Sequence, residues 1–118
     1  MPRFVAGSIV IVDWRGDSLP KEPNKVRPAV VVENDLLFDA EHPNVIVVPL
    51  TDDARLALAS LSVTIDPTPE NGCTKRCFAL APLVTAASVK RMRTTASRIT
   101  DQQLRRIRRQ IAEAIGAI

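Results

Sequence analysis

Between residues 8 and 50 the chain carries three short apolar runs, SIVIVDW, RPAVVVE and VIVVPL, each rich in β-branched residues. Such side chains suit a pleated sheet and crowd a helix. The runs therefore predict strands at Ser8 to Trp14, Arg27 to Glu33 and Val45 to Leu50. No polar residue interrupts Ala29 to Val32, which predicts burial on both faces. Arg27, directly before Pro28, then stands as a charge at the lip of a core.

Between these runs, RGDSLPKEPN and LFDAEHPN read as loops, and TDDARLALAS as an irregular or partly helical connection. Residues 60 to 66, SLSVTID, alternate as a half-buried strand does and end at the turn signals Pro67 and Pro69. FALAP and VTAASV fit two further short strands. The period then changes. Thr100 and Gln103 form a capping box, and Leu104, Ile107, Ile111, Ile115 and Ile118 fall on one face at helical spacing. Arg105, Arg106, Arg108 and Arg109 occupy the outer face, explained equally by solvation and by phosphate contact. The expected fold is mainly β with a C-terminal α-helix, a small curled barrel covered by that helix. At 118 residues, 46% of them hydrophobic, residues 1–118 are read as a single domain able to fold without staples.

No stretch approaches the roughly 20 apolar residues that span a bilayer, and MPRFVAG lacks the apolar core of a secretory signal. The expected setting is cytoplasmic, with no membrane partner. Cys73 and Cys77 are then read as free thiols. Together with His42, the sole histidine, they supply three soft ligands where a structural zinc site takes four, so no metal and no cofactor is expected. Asp52 and Asp53 are read as solvated turn residues. Charge is uneven: residues 1–89 hold eight Lys/Arg against eleven Asp/Glu, and residues 90–118 hold eight against two. The basic end suits an anionic partner, either nucleic acid or an acidic protein segment.

Most catalytic signatures are missing: there is no phosphate-binding glycine loop and no nucleophile elbow, and one histidine excludes histidine-pair chemistry. Three positions are candidates to converge at one barrel edge: Glu22 in the long loop, Arg27 at the start of the second strand and Thr51 just after the third. RNA cleavage without metal needs a base for the 2′-hydroxyl, a cation for the phosphorane-like transition state and donors that hold the phosphate in line. Glu, Arg and Thr fill those roles. Residue types alone favour a plainer alternative, a strand-edge Arg27 paired with Glu22.

The run GSIVIVDW, Glu22 five residues before Arg27 in KVRPAVVVEND, then VIVVPLT, SVTID, Gly72, CFALAPLVT and the final helix resembles the MazF/PemK (Kid) family of toxins from type II toxin-antitoxin systems. The resemblance covers nearly the whole chain, and its most specific parts are RPAVVV and VPLT. It implies an SH3-like (CcdB/PemK-type) barrel, a homodimer, and a sequence-specific endoribonuclease (an mRNA interferase) that cuts single-stranded RNA without metal, leaving 2′,3′-cyclic phosphate and 5′-hydroxyl ends. The family's functional arginine, threonine and loop glutamate map onto Arg27, Thr51 and Glu22. Trp14 is a candidate to stack a base, or core, and Arg15, Lys21 and Lys25 are candidates to follow phosphates. The implied antitoxin presents an acidic disordered segment whose capture is salt-sensitive. The chain also departs from the pattern. Asn24 and Lys25 precede Arg27 where a glycine often stands, Ala79 and Ala81 stand where some members carry Arg and Asp, and Cys77 replaces a serine. Two alternatives follow: a non-catalytic toxin of the same fold that binds DNA gyrase, and an idle barrel that binds only RNA or antitoxin.

Overall fold

The computed structural model describes residues 4–14 and 26–118. Among these, the chain forms β1 (Ser8–Asp13), β2 (Val26–Val31), β3 (Asn44–Thr51), β4 (Ser62–Ile65), β5 (Cys77–Leu80), β6 (Thr85–Ser88), β7 (Met92–Arg98) and α1 (Asp101–Ala114). Single 3-10 turns lie at Ala54–Leu56, Ala81–Leu83 and Val89–Arg91. Strand neighbours run β4-β5-β3-β2-β1-β7, and β6 also pairs with β3. All the pairings are antiparallel. Extents of 36 × 34 × 34 Å fit a strongly curled sheet better than a flat one. Among the described residues no pairing joins β4 to β7, so the expected barrel is an open one.

The unbroken run in β2 does face two cores. Ala29 and Val31 pack with Val10, Val12, Val45 and Val47 on one side. Val30 and Val32 pack on the other with Ile9, Val48, Val63 and Ile65, under Leu104 and Ile107 of α1. The helix starts as its sequence dictates: Thr100 Oγ1 accepts from Gln103 N at 3.0 Å and Gln103 Oε1 accepts from Thr100 N at 3.0 Å, satisfying two orphan donors of the first turn.

Two expectations are corrected and one strand is added. Ile115 and Ile118 leave the apolar face: α1 ends at Ala114 and both side chains are exposed. Arg108, although exposed, is not left to solvent or to a phosphate. Its Nε donates to Val32 O at 3.0 Å and its Nη2 to Glu33 O at 2.8 Å, pinning α1 to the end of β2. Arg108→Ala is expected to lower stability by about 2 kcal/mol, because two carbonyls lose charge-assisted donors; urea unfolding checks this, and a loss below half that value argues that the contact is only superficial. Finally, β7 went unread in MRTTASR. It is an edge strand, largely exposed, so burial imposes no alternation on it.

Candidate active site

The site arises where two strands stop pairing. The β2–β3 ladder runs Val31↔Val47, Val30↔Val48, Ala29↔Pro49 and ends there, although β2 extends back to Val26 and β3 on to Thr51. Pro28 has no N–H to donate, so the next rung is unavailable. β3 continues by pairing its other edge with β5, through Leu50↔Ala79 and Thr51↔Phe78. The unpaired ends leave an open cleft of about 370 Å³ lined by Arg27, Pro28, Leu50, Thr51, Asp52, Asp53, Leu56 and Cys77. Counting on from Ala29↔Pro49 brings Arg27 level with Thr51. The arginine at the lip of the core is thus explained: its proline opens the cleft that it lines.

Within the cleft the polar groups are oriented. Thr51 is 7% exposed, and its Oγ1 accepts from Asp53 N at 3.1 Å, while a hydroxyl keeps one proton to donate. Arg27 is half-buried. Asp53 caps the turn at Ala54–Leu56 by accepting from Arg55 N at 2.9 Å, and binds the Arg55 guanidinium through both carboxylate oxygens at 3.0 Å. The hydrogen bonds from Arg55 hold the Asp53 carboxyl below its ordinary range. Asp52 lies 4.0 Å from Lys75. Both carboxylates beside Thr51 are therefore partly neutralised by cations of their own.

A second depression shares Pro28, Leu50, Asp52 and Cys77 with the first and extends to Gly72, Cys73, Thr95 and Ser97. Gly72 has a φ of +65°, and a Cβ there would meet Ser97 Oγ at 2.5 Å, so any other residue is strained at this wall. Ile11 joins it to a third, lined by Asp13, Val26, Lys90, Arg91 and Arg93.

Of the residues read from the sequence, Arg27 and Thr51 come together. Glu22, Arg15, Lys21 and Lys25 lie outside the described residues. Trp14 is half-buried against the Val10 and Val12 core and does not line the cleft. Ala79 and Ala81 are both fully buried, so these positions contribute packing and no charge. Thr51's partner on β5 is instead Phe78. Sequence reading missed Cys77 and Leu56 as cleft residues; nothing in TDDARL marks Leu56 as lining a cleft. Among the described residues, no three His, Cys, Asp or Glu side chains gather as a metal site, and His42 sits apart, its Nδ1 2.8 Å from Asn44 O.

Fold and site together define a small single-sheet β domain with an open cleft lined by Arg27 and Thr51. The chain belongs to the family described as PemK-like, MazF-like toxin of type II toxin-antitoxin system, which matches residues 6–115. Solved structures agree on the fold. The toxin MazF-mt6 of Mycobacterium tuberculosis superposes with a TM-score of 0.71 at 16% identity, over 92% of this chain and 96% of that one. MazF of Deinococcus radiodurans gives 0.74 at 18%, over 94% of each. An endoribonuclease from a mycobacterial species, solved in complex with its cognate antitoxin, gives 0.72 at 16%, over 97% and 96%. No curated protein matches the chain.

Proposed function

We propose that this toxin is a sequence-specific endoribonuclease that cuts single-stranded RNA without a metal ion. The observation that carries the reading is the meeting of Arg27 and Thr51 in one open cleft. Arg27 places its planar fork on the non-bridging oxygens of the scissile phosphate, where negative charge grows as the 2′-oxygen attacks phosphorus. The Thr51 hydroxyl donates a further hydrogen bond and fixes the phosphate in line. Glu22 takes the proton of the 2′-hydroxyl. The P–O5′ bond then breaks, the departing oxygen takes up a proton, and a 2′,3′-cyclic phosphate and a 5′-hydroxyl remain. The pairing of Asp52 with Lys75 and of Asp53 with Arg55 supports the reading, because bare carboxylates here would repel the phosphate.

Lys90, Arg91 and Arg93, around the adjoining depression, extend the positive surface along the strand of RNA; Arg15, Lys21 and Lys25 are further candidates to follow phosphates and Trp14 to stack a base. Recognition of bases by hydrogen bonding sets the sequence preference. The active form is a homodimer, silenced by a cognate antitoxin whose acidic disordered segment covers the cleft; the mycobacterial endoribonuclease solved with its antitoxin supports such a partner. RNA as substrate places the reaction in the cytoplasm, and among the described residues no helix is long and apolar enough to cross a membrane.

Burial of Ala79 and Ala81 favours one second reading, an idle barrel that binds RNA or antitoxin only. Incubating purified protein with a long mixed-sequence RNA in EDTA separates the two. Cuts at defined sequences with cyclic phosphate ends are expected, and intact RNA at every protein concentration would leave the idle barrel.

A further inference from the structure

We propose that the depression adjoining the Arg27 and Thr51 cleft is a guanine subsite, in which Asp52 and Lys75 read the edge of one base of the RNA. The proposal deepens the function given above and rests on it for RNA as the ligand. The depression holds about 370 Å³ and shares Pro28, Leu50, Asp52 and Cys77 with the cleft. It therefore opens directly off the place assigned to the scissile phosphate, where the base of a flanking nucleotide arrives.

Its surfaces suit a base before any ligand is present. Ile9, Ile11, Pro28 and Leu50, from three neighbouring strands, supply an apolar floor for the face of the ring. The wall from Asn71 to Lys75 is fixed by bonds of its own. Buried Asn71 accepts from Cys73 N at 2.9 Å and from Thr68 N at 3.0 Å while donating to Asp66 O at 2.8 Å. Arg98 N donates to Glu70 O at 2.8 Å, tying this loop to β7. On β7, Thr95 Oγ1 donates to Ile9 O at 2.5 Å and accepts from Ser97 N at 3.1 Å. A recess held in this way loses little further freedom on binding.

Asp52 and Lys75 are the exception. Their charged groups stand 4.0 Å apart, beyond hydrogen-bond distance, and among the described residues neither side chain has another partner. Asp53, by contrast, has both oxygens on the Arg55 guanidinium. Asp52 is thus the carboxylate at the junction of cleft and depression that keeps its acceptor sites open, next to an ammonium with three protons to donate. That pattern selects among the bases. Guanine carries two adjacent donors, N1–H and the N2 amine, which meet both oxygens of one carboxylate, and its O6 lies beside them to accept from Lys75. Adenine and cytosine place a bare ring nitrogen next to the amino group, so the second carboxylate oxygen meets a lone pair. Uracil has a single N–H between two carbonyls. Guanine alone satisfies both carboxylate oxygens and the ammonium.

The test measures binding apart from cleavage. Fluorescein-labelled 2′-O-methyl hexanucleotides, which lack the attacking hydroxyl, carry one guanine, inosine or adenine among uridines, and fluorescence anisotropy with the full-length chain gives each Kd. Guanine is expected to bind roughly 10- to 100-fold more tightly than adenine, and inosine, which lacks only the N2 amine, between the two. Asp52→Asn, at an exposed position, is expected to melt as wild type does and to lose most of the guanine preference without weakening the adenine oligomer. In cuts of a long mixed-sequence RNA, guanine is expected beside the scissile bond. Equal binding of guanine and adenine by the wild-type chain overturns the proposal, as does a guanine preference that survives Asp52→Asn intact or a set of cut sites without a flanking guanine. Guanine-selective binding by a chain that cuts no RNA would end the endoribonuclease reading and leave the subsite standing.

Discussion

Arg27→Ala is expected to slow RNA cleavage by about 100- to 1000-fold, the loss typical of removing one donor aimed at transition-state charge, with thermal stability almost unchanged. The two halves of this expectation have separate causes. Stability is spared because Arg27 lies beyond the last β2–β3 rung, at Ala29↔Pro49, and belongs to neither apolar cluster. Loss of activity is what the proposed mechanism requires, because Arg27 and Thr51 line the same cleft and the proposal gives the arginine the charge on the phosphate. Arg27→Lys keeps the charge and loses the planar fork, so an intermediate rate is expected. Single-turnover rates at saturating enzyme separate chemistry from binding: the proposed role predicts a lower rate of the chemical step, whereas a loss confined to affinity would make Arg27 a docking residue. Full activity in Arg27→Ala would end the proposed mechanism.

The same arginine shows what a sequence can disclose about a site. Arg27-Pro28 before a two-sided apolar run and Thr51 after another were legible, because an apolar run fixes a strand and a proline fixes where its ladder fails. Thr100 and Gln103 were legible for a similar reason, since a capping box is a local device. The unread features depend on distant partners. Nothing within RRIRRQ distinguishes Arg108 from its neighbours; only the approach of α1 to the end of β2 gives it Val32 O and Glu33 O. Ile115 continues the helical spacing, yet the helix stops at Ala114, before it. β7 lacks a periodic signal because a polar edge strand is held by backbone pairing with β1. Cys77 reads as a strand-start residue, which it is, but its place in the cleft depends on β5 pairing with β3 at Thr51.

Ile107→Ala tests the other half of the architecture, and a loss of about 3 kcal/mol is expected, in the usual range for emptying a buried isoleucine site. Ile107 is 0% exposed and lies in the cluster formed by Val30, Val48, Val63 and Ile65, so its removal leaves a cavity bounded by strands that cannot all move inward at once. For a domain of this size the loss corresponds to a fall in Tm of roughly 10 °C. Ile115→Ala supplies the contrast. Its side chain is 70% exposed, and a change within about 0.5 kcal/mol is expected, although both isoleucines occupy the same helical stripe in the sequence. Chemical denaturation of the two variants side by side measures the difference. Equal losses would mean that the helix extends past Ala114 and docks further than the fold described here. Cleavage by Ile107→Ala well below its melting temperature should remain near the wild-type rate, since α1 grips the chain at Val32 and Glu33, just past β2 and at the end opposite Arg27. A folded Ile107→Ala protein with weakened cleavage would instead show that helix docking sets the width of the gap between β2 and β3.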